Sequence, residues 1–302
     1  MEFLYKLQEI RMPWLTKLML VLTELGGETV FLVLALIVFW CVDKRRGYYM
    51  MTVGFIGTVC NQFMKLFCRI PRPWVLDPAF TPVEEALEGA SGYSFPSGHS
   101  QSAAGTYGSL AVTEKRGWLR MLYIAALLLV PFTRMYLGVH TPADVLAGAA
   151  ISLALVFILQ PLVYRKGGMK WAISLMVLLA VSYAAYVFVS PFLADVDPVI
   201  LASSRKNAAT LFGCVTAVAV VYPAERRWVK FSNNAVWWAQ MLKVVGGLAL
   251  VLAVKEGLKA PLEALAPVLA ARAVRYFLLV VMAGLIWPIS FRWFEKLGRK
   301  QP

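Results

Sequence analysis

Apolar stretches long enough to cross a bilayer recur along this chain, separated by short charged clusters, and that alternation constrains the fold more than any other feature. Crossing the hydrocarbon takes roughly 17 to 25 residues of helix. Stretches of this kind lie at 28–42, 47–66, 98–113, 119–137, 142–164, 170–192, 207–223, 237–254 and 274–291. A further apolar piece, 12–24, is interrupted by Lys17, Glu24 and the pair Gly26-Gly27, and reads as either a short first span or an interfacial helix. Nine or ten spans are predicted, in an all-α, polytopic membrane helical bundle. Composition agrees: with 60% hydrophobic and only 16% charged residues, the chain is more apolar than the core of a water-soluble domain requires.

A net charge of +13 would suit nucleic-acid binding in a soluble protein, so the placement of the cations decides. They gather between the apolar stretches: Lys44, Arg45 and Arg46; Lys115, Arg116 and Arg120; Arg165, Lys166 and Lys170; Arg226, Arg227 and Lys230; Arg292, Lys296, Arg299 and Lys300. If nine spans alternate from residue 28, all five groups fall on one side, which the positive-inside rule makes cytoplasmic. A basic face toward anionic headgroups accounts for the charge, which makes membrane lipids the partners. No basic groove interleaved with aromatics is present, so nucleic acid is not an expected partner. The opposite-side loops then hold 67–97, 138–141, 193–206 and 255–273. Cys41, Cys60, Cys68 and Cys214 form no CxxC pair and no zinc spacing, and read as packing residues without a disulfide. The N-terminus, with Glu2 and Lys6, shows no removable signal peptide.

Polar residues at the ends of apolar stretches carry the chemistry. Lys65 closes one span and is followed by Arg69 and Arg72 in K-L-F-C-R-I-P-R-P. Alone, that string is equally a basic cap snorkelling to the interface. Ser94-Phe95-Pro96-Ser97-Gly98-His99-Ser100 stands at the start of an apolar helix, where unpaired backbone N–H groups and the positive dipole end suit an anion. Gly98 leaves the backbone open to close approach. Thr133-Arg134 leads after five residues to His140, and Asp144 follows four positions later, so one helical face can bring imidazole and carboxylate together. Both histidines of the chain fall in these segments, and alternating topology brings all three segments to one membrane face. Three cations, two histidines and a carboxylate on one face describe a phosphoryl-transfer site.

These segments resemble the three-part signature of the type 2 phosphatidic acid phosphatase superfamily, which includes lipid phosphate phosphatases and undecaprenyl pyrophosphate phosphatases as well as sphingosine phosphate phosphatases and glucose-6-phosphatase. The family pattern K-x6-R-P, P-S-G-H and S-R-x5-H-x3-D reads here as Lys65 to Arg72-Pro73, Pro96 to His99, and Thr133-Arg134 to His140 and Asp144. Thr133 in place of serine is the one departure. The resemblance implies a six-helix phosphatase core over residues 1–165, with about four additional transmembrane helices over 166–302.

It also implies roles. Lys65, Arg72 and Arg134, with Ser97 and the Gly98 N–H, would bind the substrate phosphate. His140 would be the nucleophile, Asp144 its tautomer-fixing partner and His99 the general acid. No metal and no cofactor are expected. The substrate would be a lipid phosphate. Glu84, Glu85 and Glu88 read as a solvated loop, and 74–95 as an outer loop bearing Trp74, Phe80, Tyr93 and Phe95. Arg69 reads as headgroup-facing, with a second substrate phosphate as its alternative. The additional helices are open to lipid entry, homodimerisation or transport. Two further functions stand as alternatives: a lipid phosphotransferase, and a transporter with a phosphatase-like half.

Overall fold

A computed structural model describes residues 1–297, and every regular element among them is helical. Arg299 and Lys300 of the last basic cluster lie outside the described residues. The chain falls into two compact units. One comprises Met1–Leu32 and Tyr49–Pro161, and the other Val33–Tyr48 with the chain from Leu162 on. Residues 33–48 therefore belong with the C-terminal helices, although N-terminal ones flank them in sequence.

In chain order the helices are α1 (Glu2–Glu9), α2 (Pro13–Thr23), α3 (Glu28–Ile37, prolonged by a π turn to Val42), α4 (Lys44–Cys68) and the short α5 (Pro73–Leu76). They continue as α6 (Gly98–Thr113), α7 (Gly117–Tyr136), α8 (Pro142–Tyr164), α9 (Gly168–Val189) and α10 (Pro198–Ala224). After these come α11 (Trp237–Gly257), α12 (Lys259–Leu265) and α13 (Val268–Val281). Six helices are long and apolar enough to cross a membrane: α7, α8, α9, and those built on α10, α11 and α13. The bent pair Pro13–Gly26 and Glu28–Val42, a broken span or a re-entrant loop, brings the number to seven if counted as one span, and the chain is a multi-pass membrane protein.

That count is lower than nine or ten because α4 and α6 do not qualify on length and hydropathy. Both are interior helices. α6 has only 16 residues, most of them buried, and α4 buries Tyr49, Thr52 and Asn61. Enclosed by protein, these helices carry polar residues that a lipid-facing helix could not. Tyr49 donates to the Val156 carbonyl at 2.6 Å, and Gln101 to Ser152 Oγ at 3.1 Å.

In the first unit α6 packs on α7, and α1 and α2 also lie against α7. Beneath the outer loop sits a core of Met19, Val83, Ala86, Ala90, Tyr136, Leu137 and Val139, joined by Trp74 and Phe132. The loop is further tied by Arg11, whose Nε donates to the Tyr136 carbonyl and whose Nη1 donates to that of Thr81. Tyr5 donates to Asp77 at 2.9 Å and meets Phe80 edge-on. So this segment is a packed lobe, from which Glu84, Glu85 and Glu88 point outward.

In the second unit α10 packs on α9 and α13, and α11 on α12 and α13. Lys44 pairs with the buried Glu225 at 2.7 Å and donates to the Phe231 carbonyl. Lys255 and Glu256 form an exposed pair at 3.6 Å. All four cysteines are free.

Candidate active site

Three helix ends and one loop bring the motif residues together. α7 ends in a turn made by Gly138, whose φ of +77° belongs to the left-handed region where glycine carries no Cβ penalty. A side chain there would also strike Arg11 and Phe80. Two residues on, His140 lies wholly inside the protein, 2% exposed. α8 starts immediately after with a reciprocal cap. The Asp144 N–H donates to Thr141 Oγ1 at 3.3 Å, and the Thr141 N–H donates to Asp144 Oδ2 at 2.7 Å. Asp144 is thereby held at the helix start with Oδ2 3.5 Å from His140 Nδ1.

Ser94 completes this pair, and no sequence motif had singled it out for a role. Its hydroxyl donates to Asp144 Oδ2 at 2.6 Å and stands 3.4 Å from His140 Nδ1. On the other side of the ring, Arg72 Nη1 lies 2.9 Å from His140 Nε2. The same guanidinium donates to the carbonyls of Val139, Gly92 and Ser91, and Lys65 Nζ donates to that of Tyr93 at 2.6 Å. Burial pushes the Arg72 pKa down to about 10, which leaves it charged at neutral pH. Burial likewise holds His140 well below the usual histidine range; the Asp144 hydrogen bond opposes this shift, and Arg72, Lys65 and Arg134 reinforce it.

Arg134, 2% exposed, donates from Nη1 to Thr23 Oγ1 at 3.1 Å. Its Nε and Nη2 are buried with no partner among the described residues, so two charged donors stand ready for an acceptor. Ser97 caps α6, accepting from the Ser100 N–H at 3.4 Å, and its own N–H donates to the Asp144 carbonyl. This end of α6 is seated by two glycines. A Cβ on Gly148 would lie 2.5 Å from the Ser97 carbonyl oxygen, and one on Gly26 would lie 2.8 Å from that of His99. A Cβ on Gly98, in contrast, would meet nothing closer than Asn61 Oδ1 at 3.9 Å. The backbone there is open, as an approaching oxyanion needs. The His99 imidazole has no hydrogen-bond partner among the described residues.

All eight motif residues thus lie in the first unit, and contacts tie Arg72, His140, Asp144 and Ser97 into one network. Arg69 takes another part. With φ of 51° it ends α4, and its Nε donates back to the Leu66 carbonyl as a C-terminal cap.

The fold and these groups define an integral membrane protein in which buried cations surround a histidine–carboxylate pair, a class of site suited to phosphoryl groups. Comparison with known proteins agrees. Residues 45–168 match the PAP2 superfamily, and 206–300 match the transmembrane extension of PAP2 superfamily phosphatases. The chain is 34% identical over 164 residues to phosphatidylglycerophosphatase B of Bacillus subtilis, covering 50% of this chain and 76% of that enzyme. It is 29% identical over 136 residues to an undecaprenyl-diphosphatase of Sulfolobus acidocaldarius, covering 44% of this chain and 64% of that one. The crystal structure of the Bacillus subtilis phosphatidylglycerolphosphate phosphatase covers 52% of this chain and 80% of its own, at 28% identity and a TM-score of 0.44. The chain belongs to the PAP2 superfamily and is a membrane lipid phosphatase.

Proposed function

We propose that this phosphatase hydrolyses a lipid phosphate or diphosphate monoester through a phosphohistidine on His140, without a metal ion, at the extracytoplasmic face of a bacterial cytoplasmic membrane. Residues 1–165 carry the chemistry and 166–302 form the additional bundle. The observation that carries the reading is the contact of Arg72 Nη1 with His140 Nε2. A guanidinium has donors only, so Nε2 presents its lone pair and Nδ1 carries the proton that faces Asp144.

In the first step Nε2 attacks phosphorus and the bond from phosphorus to the lipid oxygen breaks. His99, neutral in the free enzyme, takes up a proton as the anionic phosphate binds and gives it to the departing oxygen, and Asp144 stabilises the imidazolium that forms. Lys65, Arg72 and the two unpartnered nitrogens of Arg134 take the nonbridging oxygens, as do the Ser97 hydroxyl and the Gly98 N–H. In the second step His99 accepts a proton from water, the water oxygen attacks phosphorus, and the bond from Nε2 to phosphorus breaks to release phosphate. Support for metal independence comes from the residues themselves: among those described, no three of His, Cys, Asp and Glu converge on a common point. Sidedness rests on the basic clusters between spans, and the bacterial membrane on the compact chain and the Bacillus relative. The relatives act on phosphatidylglycerophosphate and undecaprenyl diphosphate, as their names state, which supports a lipid substrate.

The test is phosphate release by the detergent-purified protein with EDTA present, from phosphatidate, phosphatidylglycerophosphate, undecaprenyl diphosphate, sphingosine phosphate and glucose-6-phosphate. Release that survives EDTA and vanishes in His140→Ala is the expected result. Equal release by the variant, or release abolished by EDTA, overturns the mechanism.

A further inference from the structure

The second unit holds a pair of arginines that the phosphatase reaction does not use. Arg272 and Arg275 sit one turn apart near the start of α13, within a helix apolar enough to span the membrane. At 1.5 Å of rise per residue they stand roughly 6 to 10 Å inside the helix end. An arginine at that depth ordinarily snorkels along the lipid-facing surface. Arg275 does not: it is 7% exposed, and its Nε is buried with no acceptor among the described residues. Arg272 turns inward as well, donating from Nε to Thr210 Oγ1 of α10 at 2.7 Å. Thr210 gives its own proton to the Lys206 carbonyl, so its lone pair is what Arg272 takes. The two guanidinium carbons stand 5.3 and 5.6 Å from the centre of the same ring, Tyr276.

Among the described residues no carboxylate pairs with this charge. α9, α10 and α13 contain no aspartate or glutamate, and neither arginine has an ion-pair partner among the described residues. On the other helices against α13, Glu263 of α12 is exposed and Glu256 of α11 pairs with Lys255. Two guanidiniums without an acidic partner in the first turns of a candidate span are costly, and charged groups so placed mark sites for ions or substrates. The local packing sets the two helices close together. α10 and α13 touch through backbone, where a Cβ on Gly213 would collide with the Ala273 carbonyl oxygen. One turn toward the start of α10 from Gly213, Thr210 and Arg272 are joined by side chains. A further turn out, on the same face as Thr210, stands the exposed Lys206.

We infer that Arg272 and Arg275, with Thr210 and Lys206, form a second oxyanion site in the additional bundle, and that its ligand is the phosphodiester headgroup of an anionic membrane lipid. Guanidinium forks match the geometry of phosphate oxygens, and Lys206 supplies a point charge at the rim. Depth selects the source, because a phosphate tethered to acyl chains resides at this level. Its residues belong to the second unit and are not those of the phosphatase motifs, and its test reads binding and not turnover.

The full chain, purified in detergent and delipidated, is titrated with phosphatidylglycerol by native mass spectrometry and, separately, with inorganic phosphate by equilibrium binding. Wild type is compared with Arg272→Gln plus Arg275→Gln, and with Arg72→Ala, which removes a phosphate ligand of the first unit. The expected result is phosphatidylglycerol binding weakened at least about tenfold by the paired arginine change and unaffected by Arg72→Ala. Loss of inorganic phosphate binding alone in the arginine variant keeps the oxyanion site and reassigns its ligand to free phosphate. Binding of both probes at wild-type strength overturns the proposal. If the paired variant does not survive purification, Arg272→Gln and Thr210→Val carry the same comparison, since each removes one side of the 2.7 Å contact.

Discussion

Arg72 donates to His140 through Nη1 and Nε2 at 2.9 Å, on the side of the ring opposite Asp144. The contact fixes more than position. Because the guanidinium can only donate, it selects the tautomer in which Nε2 holds the lone pair, to be released for attack when Arg72 turns to the phosphate, while Asp144 and Ser94 face the protonated Nδ1. Burial keeps the ring neutral, so the group proposed as nucleophile rests in its reactive form.

Arg72→Lys tests that dependence. A lysine ammonium is a single point of charge and cannot reach His140 together with the carbonyls of Ser91, Gly92 and Val139. Each lost charge-assisted bond is worth about 1.5 to 3 kcal/mol. Phosphate-release assays should show kcat/KM lowered about 100-fold or more. A variant within a few-fold of wild type would remove Arg72 from the mechanism.

Ser94 is expected to act through Asp144. Ser94→Ala removes the 2.6 Å donor and leaves the Thr141 N–H and the His140 Nδ1 side as the remaining contacts to Oδ2. With one hydrogen bond to a charged group lost, kcat should fall about tenfold to a hundredfold with KM little changed. Ser94→Thr, which keeps a hydroxyl, should recover part of it. Asp144→Asn should be far more severe, about 1,000-fold or more, because the tautomer itself is then misdirected. A Ser94→Ala enzyme altered only in KM would count against a positioning role.

What was legible in the sequence follows from what each signal is made of. The lipid solvent and the motif triad were plain because both are local: runs of apolar residues, and short strings such as His140 to Asp144, which meet although His140 stands in the turn before α8 and not on a shared helical face. Spans α4 and α6 looked ordinary but proved interior, since hydropathy reports how apolar a helix is and not whether lipid or protein surrounds it. Ser94 stood in view beside the Pro96 motif without a role, because its partner lies 50 residues away and only the fold brings it there. Thr23 was invisible for the same reason, at 111 residues from Arg134. Arg69 drew attention as a charge, whereas its backbone turn and its bond to Leu66 set its place. The segment 33–48 gave no sign that it packs with the C-terminal helices, because patterning within a helix is silent on which neighbours it meets.

Stability should depend on pH through His140. Its pKa in the folded protein is held below the unfolded value, so the unfolded chain binds the proton first as pH falls. Unfolding is then favoured progressively below about pH 6.5, by about 1.4 kcal/mol per pH unit until the folded-state value is reached. Above that window the group contributes nothing to the slope. Melting temperature followed from pH 8 to 5 in detergent should fall on the acid side, and His140→Asn should flatten that decline. An unchanged slope in the variant would show that other groups set the acid response.

The seating of α6 offers a test that leaves every proposed chemical group in place. Gly148 carries α8 against the Ser97 carbonyl, and Gly26 carries the turn after α2 against that of His99. In Gly148→Ala the new methyl would lie 2.5 Å from a backbone oxygen, and no rotamer change can relieve that contact. The helix start must shift, at a cost of about 1 to 3 kcal/mol. Ser97 also donates its N–H to the Asp144 carbonyl at 2.9 Å, so the shift reaches the His140 pair directly. Misplacement by about 1 Å can lower turnover about 100-fold. Gly98→Ala should be milder in stability, since its Cβ enters open space, yet harmful to KM because that space is where the phosphate is proposed to lie. The two variants should therefore separate: Gly148→Ala with a lower melting temperature and lower kcat, Gly98→Ala with a near-normal melting temperature and a raised KM. If Gly98→Ala kept a wild-type KM, the phosphate would not be approaching the α6 N-terminus at all.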